Sequence, residues 1–361
     1  MKIAIDIREA VHPRSGKAVY TYEVVRNLLA NEKDIEWVLY TRPLPANSPL
    51  KEWNRHDVHI KEISTPSVFW HISVMRDALR EHVDVFFSPT SFIIPSLMPK
   101  RVRTAVTVHD MIAFLFPNSH QLKATLIEKL CARRAIERAA AILTPSENTK
   151  HDIQKFFKTK SQKIHVTPLG VALSTEQKEI SRKDIILTVA GLEPRKNVAR
   201  LIEAFEIISK KFPTYKLVII GALHWRSQAA LEKLRKTNAH IEHLQNVSYD
   251  QLDKYYREAK LFVFPSLYEG FGLPPLEAMA RGCPVICSNR SSLPEVCGHA
   301  ALYIDPENAE DIAGKMKEIL SSEEIQADFS KKSLGQASHF TWAKTADLTA
   351  KALAGRLDTD V

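Results

Sequence analysis

The chain is poor in cysteine, with four in 361 residues: Cys131, Cys283, Cys287 and Cys297. None forms a C-x-x-C pair and no histidine pair lies beside them, which argues against a zinc framework or a dithiol redox motif and leaves buried, reduced thiols. There is no Lys/Arg run of five and no RNA-recognition aromatic motif, so the formal net charge of +8 is not the footprint of a nucleic-acid binder. An anionic small substrate or an anionic membrane surface stays compatible with that charge. No apolar stretch reaches the length of about 18 residues needed to span a bilayer. Met1 leads straight into the alternating run Ile3-Ala4-Ile5-Asp6-Ile7 with no charged leader or small-residue cleavage site. The expectation is a cytoplasmic protein, with peripheral contact at the inner face of a membrane as an added possibility. The one D-x-D string, Asp358-Thr359-Asp360, sits in the last four residues, where fraying is the ordinary outcome, so no metal and no other cofactor is expected.

What is present is ordinary globular composition, 45% apolar and 25% charged, over a length that exceeds one hydrophobic core. Short β-branched runs alternate with helical patterns from the first residue, the signature of parallel βαβ units. Strands are predicted at Ile3–Ile7, Glu36–Tyr40, Val58–Ile63, Val83–Phe87, Thr104–Val108 and Ala141–Thr144, and helices near Val19–Ala30, His71–Arg80, Leu122–Ala139 and Glu147–Phe156. The polar stretch 174–183 reads as a linker, after which the pattern restarts. Strands are then predicted at Ile185–Ala190, Lys216–Ile220, Ile241–Leu244, Leu261–Phe264, Val285–Cys287 and Ala301–Ile304, with helices near Val198–Lys211, Gln228–Lys236, Asp250–Ala259, Leu276–Ala280 and Ala309–Leu320. The fold class is α/β, with a doubly wound, Rossmann-like domain over 1–173, a second over 184–339, and a terminal helical pattern in 340–361. Such sheets bind ligands at the carboxyl ends of their strands, here expected in a cleft between the domains.

Two segments carry the chemistry. Phe264-Pro265-Ser266-Leu267-Tyr268-Glu269-Gly270-Phe271-Gly272-Leu273-Pro274-Pro275-Leu276-Glu277 runs from a strand end through a glycine turn to a helix start. Backbone N–H groups at Gly272, Leu273 and the first helical turn suit a diphosphate, and the glycines let the backbone approach it. Glu269 and Glu277, eight residues apart, project from different elements toward one ligand. A carboxylate accepting from vicinal hydroxyls is a natural anchor for a sugar or a ribose. Each glutamate alone also fits a turn acid or a helix-dipole partner. The second segment, Leu187 to Asn197, places Glu193-Pro194-Arg195-Lys196-Asn197 after a strand. Its two cations can neutralise a leaving diphosphate, or form a solvated basic turn.

These two motifs, with the strand before each, resemble the retaining glycosyltransferases of family 4, the group 1 transferases with the GT-B fold. Asp6-Ile7-Arg8, Thr107-Val108-His109-Asp110, Pro145-Ser146, Pro168-Leu169-Gly170-Val171 and Phe340-Thr341-Trp342 extend the resemblance over nearly the whole chain. It implies two Rossmann-like domains facing across a cleft, and a terminal helix that returns to the first. It also implies metal-independent transfer of a sugar from a nucleotide diphosphate with retention, GDP-mannose being favoured and a UDP-sugar remaining open. The implied acceptor is a glycan or lipid-linked molecule of an O-antigen or polysaccharide pathway. By resemblance Arg195 and Lys196 bind the diphosphate, Glu277 the ribose, and Glu269 the transferred sugar. Gly270, Phe271, Gly272 and Leu273 supply backbone contacts, Asn246 and Val247 lie in the base-binding loop, Gly16 in the first loop, and His109 near the anomeric carbon. His109 also fits a hydrogen-bonded structural residue. The sequence departs from the family in keeping only Gly16 in the first loop, in having Ala190-Gly191 before the basic turn, and in placing Gln245 where a glycine is usual. Alternatives are a GT-B epimerase or phosphorylase, or a non-catalytic nucleotide-sugar-binding protein. The helix Leu122–Arg138 carries Lys123, Lys129, Arg133, Arg134 and Arg138, and reads either as a surface for an anionic bilayer or as a core helix with a basic outer face.

Overall fold

The computed structural model describes residues 1–11, 15–116, 122–173, 181–223 and 227–356. Most of the expected linker, 174–180, and the terminal Asp358-Thr359-Asp360 lie outside the described residues, as do the side chains of 121–128, Lys123 among them. The chain divides into two compact units, Met1–Gly170 joined by the segment from Trp342, and Val171–Thr341.

The N-terminal unit is a seven-stranded sheet of β1 (Lys2–Asp6), β2 (Glu36–Thr41), β3 (Val58–Glu62), β4 (Val85–Ser88), β5 (Arg103–Thr107), β6 (Ala141–Thr144) and β7 (Ile164–Val166), in the order β3-β2-β1-β4-β5-β6-β7. Every neighbouring pair is parallel. Its helices are α1 (Gly16–Asn31), α2 (Ser67–Arg80), α3 (Ile93–Leu97), α4 (Ile112–Leu115), α5 (Leu122–Arg138) and α6 (Glu147–Phe157). Ala4, Tyr40, Trp70, Val74 and Phe86 form one buried cluster, and Val106, Ile136, Ile142 and Ile153 another. Helix α1 starts three residues before its apolar pattern does, because the Ser15 hydroxyl accepts from Ala18 N and caps it.

The C-terminal unit repeats the plan with six strands: β8 (Lys183–Val189), β9 (Lys216–Ile220), β10 (Ile241–Leu244), β11 (Ala259–Phe264), β12 (Val285–Ser288) and β13 (Ala301–Ile304). Their order is β10-β9-β8-β11-β12-β13, again all parallel. Lys183, expected in the linker, opens β8. The helices are α7 (Val198–Ser209), α8 (Gln228–Lys236), α9 (Tyr249–Glu258), α10 (Leu273–Met279), α11 (Leu293–Cys297), α12 (Ala309–Leu320) and α13 (Glu323–Ala337). Ile186, Leu187, Leu261, Phe262 and Val263 are fully buried, as central parallel strands covered on both faces must be. Each such side chain contributes about 1.5–3 kcal/mol relative to exposure.

Helix α14 (Trp342–Ala354) belongs to the N-terminal unit. Trp342 packs near Tyr20 of α1, with ring centroids 6.4 Å apart, and the Thr345 hydroxyl donates to Pro168 O at 2.7 Å. Among the described residues no helix is long and apolar enough to cross a membrane. Helix α5 offers less free charge than its sequence suggests. Arg134 Nε donates to Ser96 O and Arg138 Nη2 to Met98 O, at 2.7 and 2.6 Å, capping the end of α3, while Arg133 pairs with Glu137 at 3.0 Å. Three cysteines are buried, as expected, and Cys131 is half-buried; all four are free.

Candidate active site

In each sheet the strand order reverses direction once, between β1 and β4 and between β8 and β11, and ligands bind outside the carboxyl ends of strands at such a switch. The two sequence motifs follow β8 and β11. These strands are hydrogen-bonded neighbours, so the segments expected to form two opposed phosphate cradles meet in one cluster.

At its centre Glu269 is 8% exposed. Its Oε1 accepts from Lys196 Nζ at 2.6 Å and from Ser266 Oγ at 2.6 Å, and pairs with Arg195 Nη1 at 3.0 Å. Burial alone would raise the carboxyl pKa, but Lys196 and Arg195 outweigh it and hold the group below the usual glutamate range. Oε2 makes no hydrogen bond among the described residues, leaving one oxygen of a fixed carboxylate to accept from a ligand hydroxyl. The two cations differ. Arg195 Nη1 also donates to Tyr268 O at 2.5 Å and its Nη2 to Glu193 at 2.8 Å, so it braces the two loops. Lys196 gives Glu269 one of its three N–H bonds and lies 5.2 Å from the centre of the Phe264 ring. Two cations and two carboxylates make the cluster neutral. An arriving diphosphate therefore meets oriented donors rather than excess positive charge.

The supporting shell was not legible in the sequence. Asn197 adopts a left-handed φ of 59° and its amide donates to Pro265 O and Pro306 O at 3.2 and 2.6 Å, fixing the basic turn against two other loops. Ser291, also left-handed at φ 53°, accepts from Glu269 N at 2.9 Å. Ser292 donates to Glu269 O and Phe271 O at 2.9 and 2.7 Å. Left-handed non-glycine residues over-determined by such bonds are typical of functional sites. Ser266 lies within the strand-to-helix motif, but nothing in its sequence context distinguishes it. Ser291 and Ser292 give no signal beyond a helix start.

Gly272 caps α10 at φ +116°, which favours glycine, and a Cβ there would meet Leu293 Cδ2 at 2.8 Å, so that side chain would also have to shift. Pro274 and Pro275 fall in the first turn of this short helix. They carry no amide hydrogen, so the turn supplies Leu273 N–H rather than the full set expected of a helix start. Gly270 and Phe271 are buried in the same loop, Phe271 edge-on to Phe340 at 5.8 Å. Glu277, half-buried on α10, accepts from the Tyr256 hydroxyl of α9 at 2.8 Å. Burial raises its carboxyl pKa, while Tyr256 and the charge of Arg281 pull the other way. Asn246 and Val247 follow β10, the edge strand, which β9 separates from β8. Asn246 adopts φ 54°, a left-handed conformation that asparagine tolerates.

Gly16 and His109 lie in the N-terminal unit. Gly16 opens α1, and its neighbour Lys17 lines a pocket with Thr107, His109 and Asp110. His109 Nε2 is 2.9 Å from Pro89 O, and its ring stands edge-on to Tyr20 at 4.7 Å. Since a carbonyl only accepts, the proton sits on Nε2 and Nδ1 is left as an acceptor. Burial, then the charge of Lys17, pushes the imidazole pKa down to about 4, so it is neutral near pH 7. Among the described residues no three His, Cys, Asp or Glu side chains come together as a metal-ligand set.

This fold and site define a class of protein. Residues 14–175 match the Glycosyltransferase Family 4 domain and residues 173–335 the Glycosyl transferases group 1 domain. The chain belongs to this glycosyltransferase family, and its paired parallel-sheet units are those of the GT-B fold. It is similar to the O-antigen chain mannosyltransferase B of Escherichia coli, 29% identical over 290 residues that cover 76% of this chain and 75% of that protein. It is also 29% identical over 268 residues to the serotype-specific mannosyltransferase WbdA of Escherichia coli, covering 68% of this chain but 32% of WbdA. Among solved structures, Anabaena HepE in complex with UDP and glucose superposes with a TM-score of 0.77 at 15% identity, covering 98% of this chain and all of that one.

Proposed function

We propose that the chain is a retaining, metal-independent hexosyltransferase that moves mannose from GDP-mannose to a glycan or lipid-linked acceptor in O-antigen or polysaccharide synthesis. The observation that carries this reading is the neutral cluster at the switch point of the C-terminal unit. One oxygen of Glu269 is locked by Lys196, Arg195 and Ser266, while the other stays open for a sugar hydroxyl. The mannosyltransferases among the relatives favour mannose, and a UDP-sugar is the competing donor. Glu277 accepts from the ribose hydroxyls. The Lys196 ammonium and the N–H groups of Gly272 and Leu273 take the diphosphate. In the transfer an acceptor oxygen bonds to the anomeric carbon as its bond to the phosphate oxygen breaks, and the acceptor proton passes to the leaving diphosphate. Lys196 stabilises the charge that grows there. Neutral His109, with Nδ1 as an acceptor, orients a sugar hydroxyl. The reaction is placed at the inner face of a membrane.

The test is transfer from labelled GDP-mannose, UDP-glucose and UDP-N-acetylglucosamine to an oligosaccharide acceptor mixture with EDTA present, the product anomer being read by NMR. Transfer of mannose in the α configuration without metal is expected. A product of inverted anomeric configuration, activity that returns only with Mg²⁺ or Mn²⁺, or a changed sugar nucleotide released without acceptor each overturns the corresponding part.

A further inference from the structure

The switch point of the N-terminal unit holds a second polar cluster. Asp6 ends β1, is 2% exposed, and takes Arg8 Nε and Nη2 at 2.9 and 2.7 Å. That bidentate pair fixes the guanidinium plane and leaves Nη1 without a partner among the described residues. The Arg8 guanidinium lies 4.0 Å from the centre of the Trp70 ring, and Arg42, just past the end of β2, lies 5.9 Å from the same ring. Arg42 is exposed and has no ion pair among the described residues. Trp70 is fully buried on α2, and His71 stands edge-on to it at 5.4 Å.

Two buried polar atoms of α2, Trp70 Nε1 and His71 Nδ1, have no hydrogen-bond partner among the described residues. Buried polar groups are rarely left so, and two on adjacent residues beside Arg8 point to a missing ligand. Arg8 Nη1, the Arg42 guanidinium and the Trp70 indole are all donors, and the Asp6 carboxylate is already taken by Arg8. The ligand must therefore bring acceptors and negative charge. Two guanidinium groups and an indole offer more N–H bonds than the two oxygens of a carboxylate would use, and the three oxygens of a phosphate monoester suit them better.

We propose that Arg8, Arg42, Trp70 and His71 form a phosphate-binding subsite at the carboxyl edge of the N-terminal sheet. Its role as the place where a phosphorylated acceptor is held rests on the transferase reading; the binding itself does not. Burial, followed by the charges of Arg8 and Arg42, pushes the His71 pKa down to about 4, against the opposing charge of Asp6. A bound phosphate screens both arginines, so the imidazole of His71 reports its arrival.

The experiment titrates the full-length protein with inorganic phosphate and with octyl phosphate below its micelle concentration. It follows the His71 ring resonances, assigned by their loss in His71→Gln. Saturable movement is expected, with the titration midpoint of His71 rising. Equal affinity for the two probes identifies the bare phosphate group as the ligand, and preference for octyl phosphate identifies a lipid phosphate. Arg42→Ala, which removes an exposed side chain and leaves the Asp6–Arg8 pair intact, should weaken either probe about tenfold and leave GDP affinity unchanged. His71 resonances that stay still, or an Arg42→Ala protein that binds phosphate like the parent, overturn the subsite. Neither readout uses sugar transfer, so the subsite can fail while the transferase reading stands, and the reverse.

Discussion

Replacing Glu269 by glutamine separates the two jobs assigned to that residue. Glutamine keeps the shape and can still accept from Ser266 and Lys196, but it turns a neutral cluster of two cations and two carboxylates into one with a net positive charge. The side chains of Arg195 and Lys196 are only 10% and 14% exposed, so water does not compensate. Removing one partner of a buried pair costs about 3–5 kcal/mol, and the retained hydrogen bonds place Glu269→Gln at the lower end, about 3 kcal/mol. For a unit of this size that is a fall in melting temperature of about 6–12 °C. The depressed Glu269 pKa gives the effect a pH signature. The stabilisation is complete above the unfolded glutamate value and is lost as pH falls through the lower, folded value. The gap between parent and variant should therefore close on the acid side. Affinity for free GDP should move the opposite way to stability. At about 6 Å and an effective dielectric of about 20, removing one negative charge favours each unit of phosphate charge by about 3 kcal/mol before solvent screening, so binding should tighten or hold while turnover falls. Scanning calorimetry with and without GDP, isothermal titration and a transfer assay read all three. A variant that melts with the parent, or that binds GDP more weakly while folded, refutes the account of the cluster.

The parallel-sheet plan was legible because buried strands leave runs such as Ile185-Ile186-Leu187 and Leu261-Phe262-Val263, bounded by turns. Other elements carry no such pattern. β7 is three residues long, and α3 carries Pro95 within Ile93–Leu97. Helix α13 buries only Ser333 and Ala337 and so has no apolar stripe to read. At the site, Glu269, Glu277, Arg195 and Lys196 stood out because each follows a strand in a motif. Their partners did not. Tyr256 lies 21 residues from Glu277, and Pro306 lies 109 from Asn197, distances over which spacing carries no information. Nor could spacing show that Arg195 points at Tyr268 and Glu193 while Lys196 keeps free donors. On α5, the inward turn of Arg134 and Arg138 depends on where α3 ends, which the helix's own sequence does not encode.

Lys196→Ala should weaken GDP binding and lower kcat more than it raises KM, because the charge it meets grows in the transition state; the loss of kcat should be about 10²–10³-fold. Equal loss in binding and turnover by single-turnover kinetics would count against that. Glu277→Ala should weaken free GDP by about 1.5–3 kcal/mol, the range for a charge-assisted hydrogen bond, with kcat at saturating donor little changed; unchanged GDP affinity in a folded protein removes Glu277 from the ribose. Tyr256→Phe tests how that carboxylate is kept charged. The ring keeps its packing against Phe262, 5.7 Å away, so the fold should lose only about 1 kcal/mol. Tyr256 is 2% exposed, and burial holds its hydroxyl pKa so far above the ordinary tyrosine range that it stays a donor at every accessible pH. Burial already raises the Glu277 pKa, and losing the Tyr256 donor removes one of the two influences that lower it, so the pKa must climb further. The folded state then holds that proton more tightly than the unfolded chain does. This contribution to stability is present at acid pH and fades as pH rises through the folded value. Ribose binding needs the ionised form, so GDP affinity should begin to fall at a higher pH in Tyr256→Phe than in the parent, while the two converge in alkali to within the loss of one supporting hydrogen bond. Affinity profiles that superimpose from pH 5 to 8 would show that Tyr256 only packs and that the charge of Glu277 is set elsewhere.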